Sequence, residues 1–268
     1  MNRVISAEVY KIRHCKLLWF VPLIFFAIGL SYSAYHFKIY NMYNRLELFV
    51  LPSLAYQQLS IGSAMFTGYV IGMDFSYRTI QNTLSVGVSR RSYYFSRMAV
   101  VMFLTALLYG ACMLGFVCGR LPLFQPLLRD INEASGSLAE NCPELELFWV
   151  KLAVCMAVEI LQMWAYVSIL NAASYFIKKQ LPVMVAGLMY VIIELVLRQV
   201  ADQYNLAFFR YLFDFAPVRV LQHTFDIYVF KDRILTFGFL KFIISALVII
   251  AVSSAAGFCR FRYDWGNN

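Results

Sequence analysis

Charges are so sparse in this chain of 268 residues that long runs pass without one. Leu17 to Phe37, Leu48 to Met73 and Met98 to Gly119 contain no Asp, Glu, Lys or Arg. At a helical rise of about 1.5 Å per residue, each run can cross the roughly 30 Å hydrocarbon layer of a bilayer. Three more segments carry single interruptions. Residues 152–177 contain Glu159, and residues 234–259 contain Lys241. Leu181 to Leu197 contains Glu194 and is short, so its span takes residues from its flanks, to about 199. The composition agrees: 61% of residues are hydrophobic and 14% charged, where a soluble domain has about a quarter charged. The expected fold is an all-α integral membrane protein with six transmembrane helices in one domain, 1–268.

Six spans put both termini on one side, together with the 74–97 segment and the Lys178-Lys179 turn. That side holds twelve basic residues: Arg3, Lys11, Arg13, Lys16, Arg78, Arg90, Arg91, Arg97, Lys178, Lys179, Arg260 and Arg262. Its acids are Glu8, Asp74 and Asp264, whereas the opposite loops hold nine basic and ten acidic residues. The positive-inside rule places both termini in the cytoplasm of a cell membrane. The first span is too long and too tyrosine-rich at its exit for a cleaved signal, so it reads as an uncleaved anchor. Lys151 and Lys241 lie near span ends, where a long side chain snorkels.

Between the spans, residues 3–16 align Val4, Ile5, Val9 and Ile12 on one helical stripe, away from Glu8, Lys11 and Arg13. This segment is either an interfacial N-terminal helix or a basic cytoplasmic stub. Residues 120–147 are acidic and contain proline and turn residues, which predicts an outer loop. Cys118 and Cys142 sit near its two ends, where a disulfide could form on an oxidising side. The aromatic stretch 198–235 fits short interfacial or re-entrant helices broken at Pro217.

The segment RTIQNTLSVGVSRRSYYFSR, 78–97, is basic and serine-rich between two spans. Asp74 is expected to cap a helix over Tyr77–Val86, with Gly87 as its stop and Ser89 as the cap of the helix feeding the third span. Four arginines there suit either anionic lipid or a cytoplasmic partner.

The run from Asp74 through Thr79-Ile80, Leu84, Gly87 and Ser89-Arg90 to Arg97 resembles the segment after the second span in membrane subunits of ABC transporters of the second exporter class. Glu8 and Lys11 resemble that family's Glu-x-x-Lys opening. Arg78 departs from it, since relatives usually have glycine there. The resemblance implies that 74–90, including Arg78, forms a cytoplasmic coupling helix seated in a separate ABC ATPase. It implies a permease homodimer or heterodimer over two ATPase copies, which bind the ATP and magnesium. The N-terminal helix would be the interfacial elbow. Small permeases of this kind often serve antibiotic-peptide export or self-protection.

A carboxylate inside the bilayer must face protein, water or a partner. Gln162 and Tyr166 lie three and seven residues after Glu159, on about the same helical face. That polar stripe either lines a translocation route or ties helices together. Glu194 has Arg198 four residues on, a simple i,i+4 pair, and Glu159 could also meet Lys241. No HExxH, GxSxG or phosphate-binding glycine loop is present, so this chain is expected to bind no cofactor, metal or nucleic acid and to catalyse nothing itself. The rival readings are a membrane-embedded enzyme using Glu159 and Glu194, an ion-coupled secondary transporter, and a non-transporting immunity or sensory scaffold.

Overall fold

Backbone amides in hydrocarbon find no water, so each apolar run satisfies its own hydrogen bonds by coiling into a helix. The computed structural model describes residues 16–40, 53–76, 79–138, 144–205 and 237–264, with positions 10, 216 and 217. Over these residues run α1 (Lys16–Tyr40), α2 (Ser53–Ser76), α3 (Thr79–Ser85), α4 (Arg90–Leu138), α5 (Glu144–Ile177), α6 (Gln180–Gln203) and α7 (Phe237–Asp264). Among the described residues four stretches are long and apolar enough to cross a membrane: Arg90–Gly119, Ala153–Ile177, Gln180–Ala201 and Leu240–Asp264. The protein is an all-α, multi-pass membrane protein.

The remaining two long helices differ in kind. In α1 the described apolar stretch is Trp19–Ser33. Helix α2 has 24 residues but carries Gln57, Gln58, Ser60, Ser63 and Thr67. Its position explains how such a sequence is accommodated. It packs against α1, α4, α5 and α6, and Leu59, Ser60, Ser63, Ala64 and Thr67 are all buried. A helix surrounded by other helices needs less hydrophobicity than one facing lipid. The core lies between α2, α4 and α5, built on Leu59, Phe66, Ile71, Leu104, Leu108 and Met163.

Small residues set how closely the helices approach. Gly115 and Gly119 of α4 face Phe26 and Ser33 of α1, and Gly29 of α1 faces the Cys112 carbonyl. Gly68 and Gly72 of α2 face Met184 and Gln180 of α6. Both α2 and α4 thus carry a G-x-x-x-G pair at a helix contact, where hydrocarbon gives no hydrophobic drive and backbone proximity supplies the dispersion energy. A β-carbon at Gly29 or Gly115 would collide with a backbone carbonyl.

Three boundaries differ from the sequence reading. Helix α4 continues to Leu138, through Pro122 and Pro126, where an outer loop over 120–147 was expected. A helix nucleated in the membrane needs only propagation to extend, and the leucines of LPLFQPLLRD favour it. Helix α5 is described from Glu144, also within the segment expected as loop. The last helix, Phe237–Asp264, runs past the expected end at Cys259. Helix α6 extends through its flanks, from Gln180 to Gln203, as its short apolar run required. Glu8, Lys11, Arg78, Cys142 and most of 198–235 lie outside the described residues, as does the side chain of Arg198; Cys118 is exposed on α4.

Candidate functional site

Helix α3 has seven residues, too few to persist alone in water, so its order comes from what it rests on. Ile80 is buried, in a cluster with Tyr93, Tyr94, Met98, Tyr175 and Phe261. Leu84 and Val88 pack on the same cluster. Tyr93 stacks on Phe261 with ring centroids 5.9 Å apart, and Phe75 meets Tyr175 edge-on at 5.8 Å. These contacts join the end of α2, the start of α4 and the ends of α5 and α7 beneath α3. Gln81, Asn82 and Ser85 on the helix, with Val86 just past it, are exposed.

The turn between α3 and α4 follows its sequence. Gly87 has φ +87, a left-handed conformation that favours glycine, and its N–H donates to the Leu84 carbonyl at 3.1 Å. Ser89 caps α4 as expected, its Oγ accepting from the Ser92 N–H at 3.2 Å. Thr79 and Arg90 are the first residues of α3 and α4, both half-buried.

Asp74 differs from expectation. It lies inside α2, not ahead of α3, and is buried. Its Oδ2 is 2.7 Å from Arg97 Nε and accepts a hydrogen bond from the Tyr93 hydroxyl at 2.9 Å. Arg97 also donates through Nη2 to the Val70 carbonyl. The carboxylate therefore has an ion pair and a hydroxyl donor, and a second guanidinium nitrogen of Arg97 a carbonyl. A buried charge needs such partners to remain charged. This group fastens α2 to α4 directly behind α3.

Farther along the bundle, the Glu159 stripe reaches three different helices. Glu159 accepts from the Tyr109 hydroxyl of α4. Gln162 Nε2 donates to the Phe242 carbonyl of α7 at 2.9 Å. The Tyr166 hydroxyl donates to the Gly187 carbonyl of α6 at 3.0 Å. Tyr166 also lies beside Tyr190, with ring centroids 5.4 Å apart, and Tyr190 hydrogen-bonds Glu194. Glu159 and Glu194 are both buried, whereas Lys241 is exposed. Among the described residues no group of acids, histidines and cysteines could hold a metal ion.

The sequence reading missed the aromatic floor of the site. Tyr93, Tyr94, Tyr175 and Phe261 come from three helices, and no local spacing links them. The tyrosine pair inside RRSYYFSR was a usable signal: hydroxylated rings where a basic helix enters the membrane need polar partners.

The family model described as an ABC-2 family transporter protein matches residues 4–194, which takes in α1 to α5 and most of α6. No curated protein and no solved structure matches the chain. The matched segment includes the buried Asp74–Arg97 pair, α3 and the Glu159 stripe, and its length covers most of the molecule. The chain belongs to the ABC-2 family of membrane transporter proteins, whose members are transport subunits and not enzymes.

Proposed function

We propose that this chain is the permease subunit of an ATP-driven exporter of the second class, with α1, α2 and α4 to α7 as six spans and α3 as its coupling helix. Family membership implies a separate ATPase and a lipid environment. The observation that carries the reading is the two-sidedness of α3. One side, through Ile80 and Leu84, rests on side chains from α4, α5 and α7. The other presents Gln81, Asn82 and Ser85, with Val86 beside them, as an uncharged exposed surface. Immediately behind it Asp74 and Arg97 join α2 to α4.

In this mechanism the end bearing α3 and both termini is cytoplasmic. Two ATPase copies, binding ATP and magnesium, close beneath a permease dimer and displace the two α3 helices. The displacement passes through Ile80 and the aromatic floor to α4, α5 and α7, and through Asp74–Arg97 to α2. Gly87 is the hinge. Glu8 and Lys11 belong to the interfacial elbow. Glu159, Gln162 and Tyr166 act as ties between helices, because each is already engaged with a different neighbour. Antibiotic peptides are the proposed cargo, a choice resting on the resemblance of the 74–97 segment.

Leu84 packs against the bundle, so Val86, at 83% exposure, is the better probe of the docking surface. A photo-cross-linker at Val86 should capture a copurifying ATPase, and Val86→Asp should weaken that association at least about tenfold by burying a charge in the contact. Labelling of a cysteine at Asn82 from outside intact cells would overturn the orientation and the coupling role together.

A further inference from the structure

Asn171 of α5 is 1% exposed, and neither its Oδ1 nor its Nδ2 has a hydrogen-bond partner among the described residues. The Tyr94 hydroxyl of α4 is equally buried and has none either. By contrast, Asp74 is held by Arg97 and Tyr93, and Glu159 by Tyr109. A buried polar group without a partner keeps its whole desolvation penalty, so two such groups join wherever the fold lets them.

The two are neighbours. The Tyr94 hydroxyl lies beside the Asn171 side chain, short of a hydrogen bond in this conformation. Tyr175, one helical turn after Asn171, has its ring centroid 5.2 Å from that of Tyr94. Helix α7 closes the site: a β-carbon at Gly257 would collide with the Tyr94 hydroxyl and with the Cα of Ala172. The serines nearby are already engaged. Ser168 Oγ lies 2.7 Å from Ser253 Oγ of α7, Ser254 Oγ donates to Met98 Sδ at 3.2 Å, and Ser174 Oγ donates to the Asn171 backbone carbonyl at 2.6 Å.

The pair stands where α3 would act on the bundle. Tyr94 belongs to the aromatic floor and shares its cluster with Ile80 of α3 and Tyr175 of α5. A displacement of Ile80 therefore reaches Tyr94 through direct packing. Packed helices shift by about 1–2 Å in transitions of this kind, enough to complete a hydrogen bond between groups already side by side.

We propose that Tyr94 and Asn171 are a latch between α4 and α5, parted in this conformation and hydrogen-bonded in the one reached when α3 is displaced. The force that closes the latch rests on the exporter reading; the parted pair is a property of this chain alone. Both are positioning residues, holding α4 against α5 in the second arrangement.

One arm of the test uses the isolated full chain in detergent. Asn171→Leu and Tyr94→Phe should each unfold at the wild-type temperature or above, since each removes an unfilled polar group and nearly keeps its shape. A fall of several degrees in both would show a pair already satisfied, through each other or through a buried water, and would overturn the proposal. The second arm places 3-fluorotyrosine at position 94 alone and reads it by fluorine NMR. The chain alone should show one resonance, and a second should appear when the copurifying ATPase is trapped with ATP and vanadate. Asn171→Leu should abolish the second resonance. A resonance that nucleotide leaves unmoved, or a second one that survives Asn171→Leu, would overturn the latch. Capture of no ATPase by the cross-linker at Val86 would sink the exporter reading instead, with the stability arm still deciding whether the pair is parted.

Discussion

Arg97 of α4 places Nε 2.7 Å from Oδ2 of Asp74 in α2, with both side chains 5% exposed. An ion pair this buried contributes little net stability beside an apolar substitute, but breaking it from one side leaves an uncompensated charge. Asp74→Ala should therefore lower stability by about 3–5 kcal/mol. Asp74→Leu combined with Arg97→Leu should recover most of that loss. Thermal unfolding in detergent of wild type, Asp74→Leu, Arg97→Leu and the double variant gives the coupling term directly. If ATPase stimulation by substrate stays lost in the double variant although stability returns, the pair serves coupling as well as packing.

Gly87 has open space around a would-be β-carbon but a left-handed backbone. Replacement is thus penalised through conformation alone. Gly87→Ala should cost about 1–2 kcal/mol locally, and Gly87→Asn less, since asparagine visits that region more readily. Hydrogen exchange over 79–89 should rise in the alanine variant while the core of α4 and α5 stays protected.

Gly115 and Gly110 lie on the same helix with opposite surroundings. A β-carbon at Gly115 would run into the Phe26 carbonyl, whereas one at Gly110 meets nothing within 4 Å. Gly115→Leu should separate α1 from α4 and cut the yield of folded protein sharply. Gly110→Ala should be neutral or stabilising by up to about 1 kcal/mol through helix propensity. Size-exclusion profiles and melting temperatures of the two variants check the contrast.

Glu159 and Tyr109 join α5 to α4 inside the bundle. Glu159→Gln preserves an acceptor for the hydroxyl and should stay within about 1 kcal/mol of wild type. Glu159→Ala leaves the hydroxyl orphaned beside a void and should cost about 2 kcal/mol or more. Transport should survive the glutamine change, as expected of a tie. Its loss at unchanged stability would identify Glu159 as part of the route.

The sequence by itself determined the helical class, the positions of the apolar runs and the turn at Gly87–Ser89. These depend on local quantities: the spacing of charges, the missing β-carbon of glycine, the reach of a serine hydroxyl to a nearby N–H. The side-sharing of the 74–97 segment, the Lys178-Lys179 turn and the C-terminal arginines was also legible, and Lys178–Asp264 and Tyr93–Phe261 bring them together. What only the tertiary structure decided was partnership. Asp74 had a plausible local job as a cap, yet Arg97 and Tyr93, about twenty residues on, claim it because a buried carboxylate binds a guanidinium more strongly than it caps an exposed turn. Leu84, part of the docking segment that the resemblance implies, is partly buried against the aromatic floor, a contact that its local spacing does not report. Helix α2 tolerates Ser60, Ser63 and Thr67 because other helices bury them, and no spacing along one chain reports which helices are neighbours.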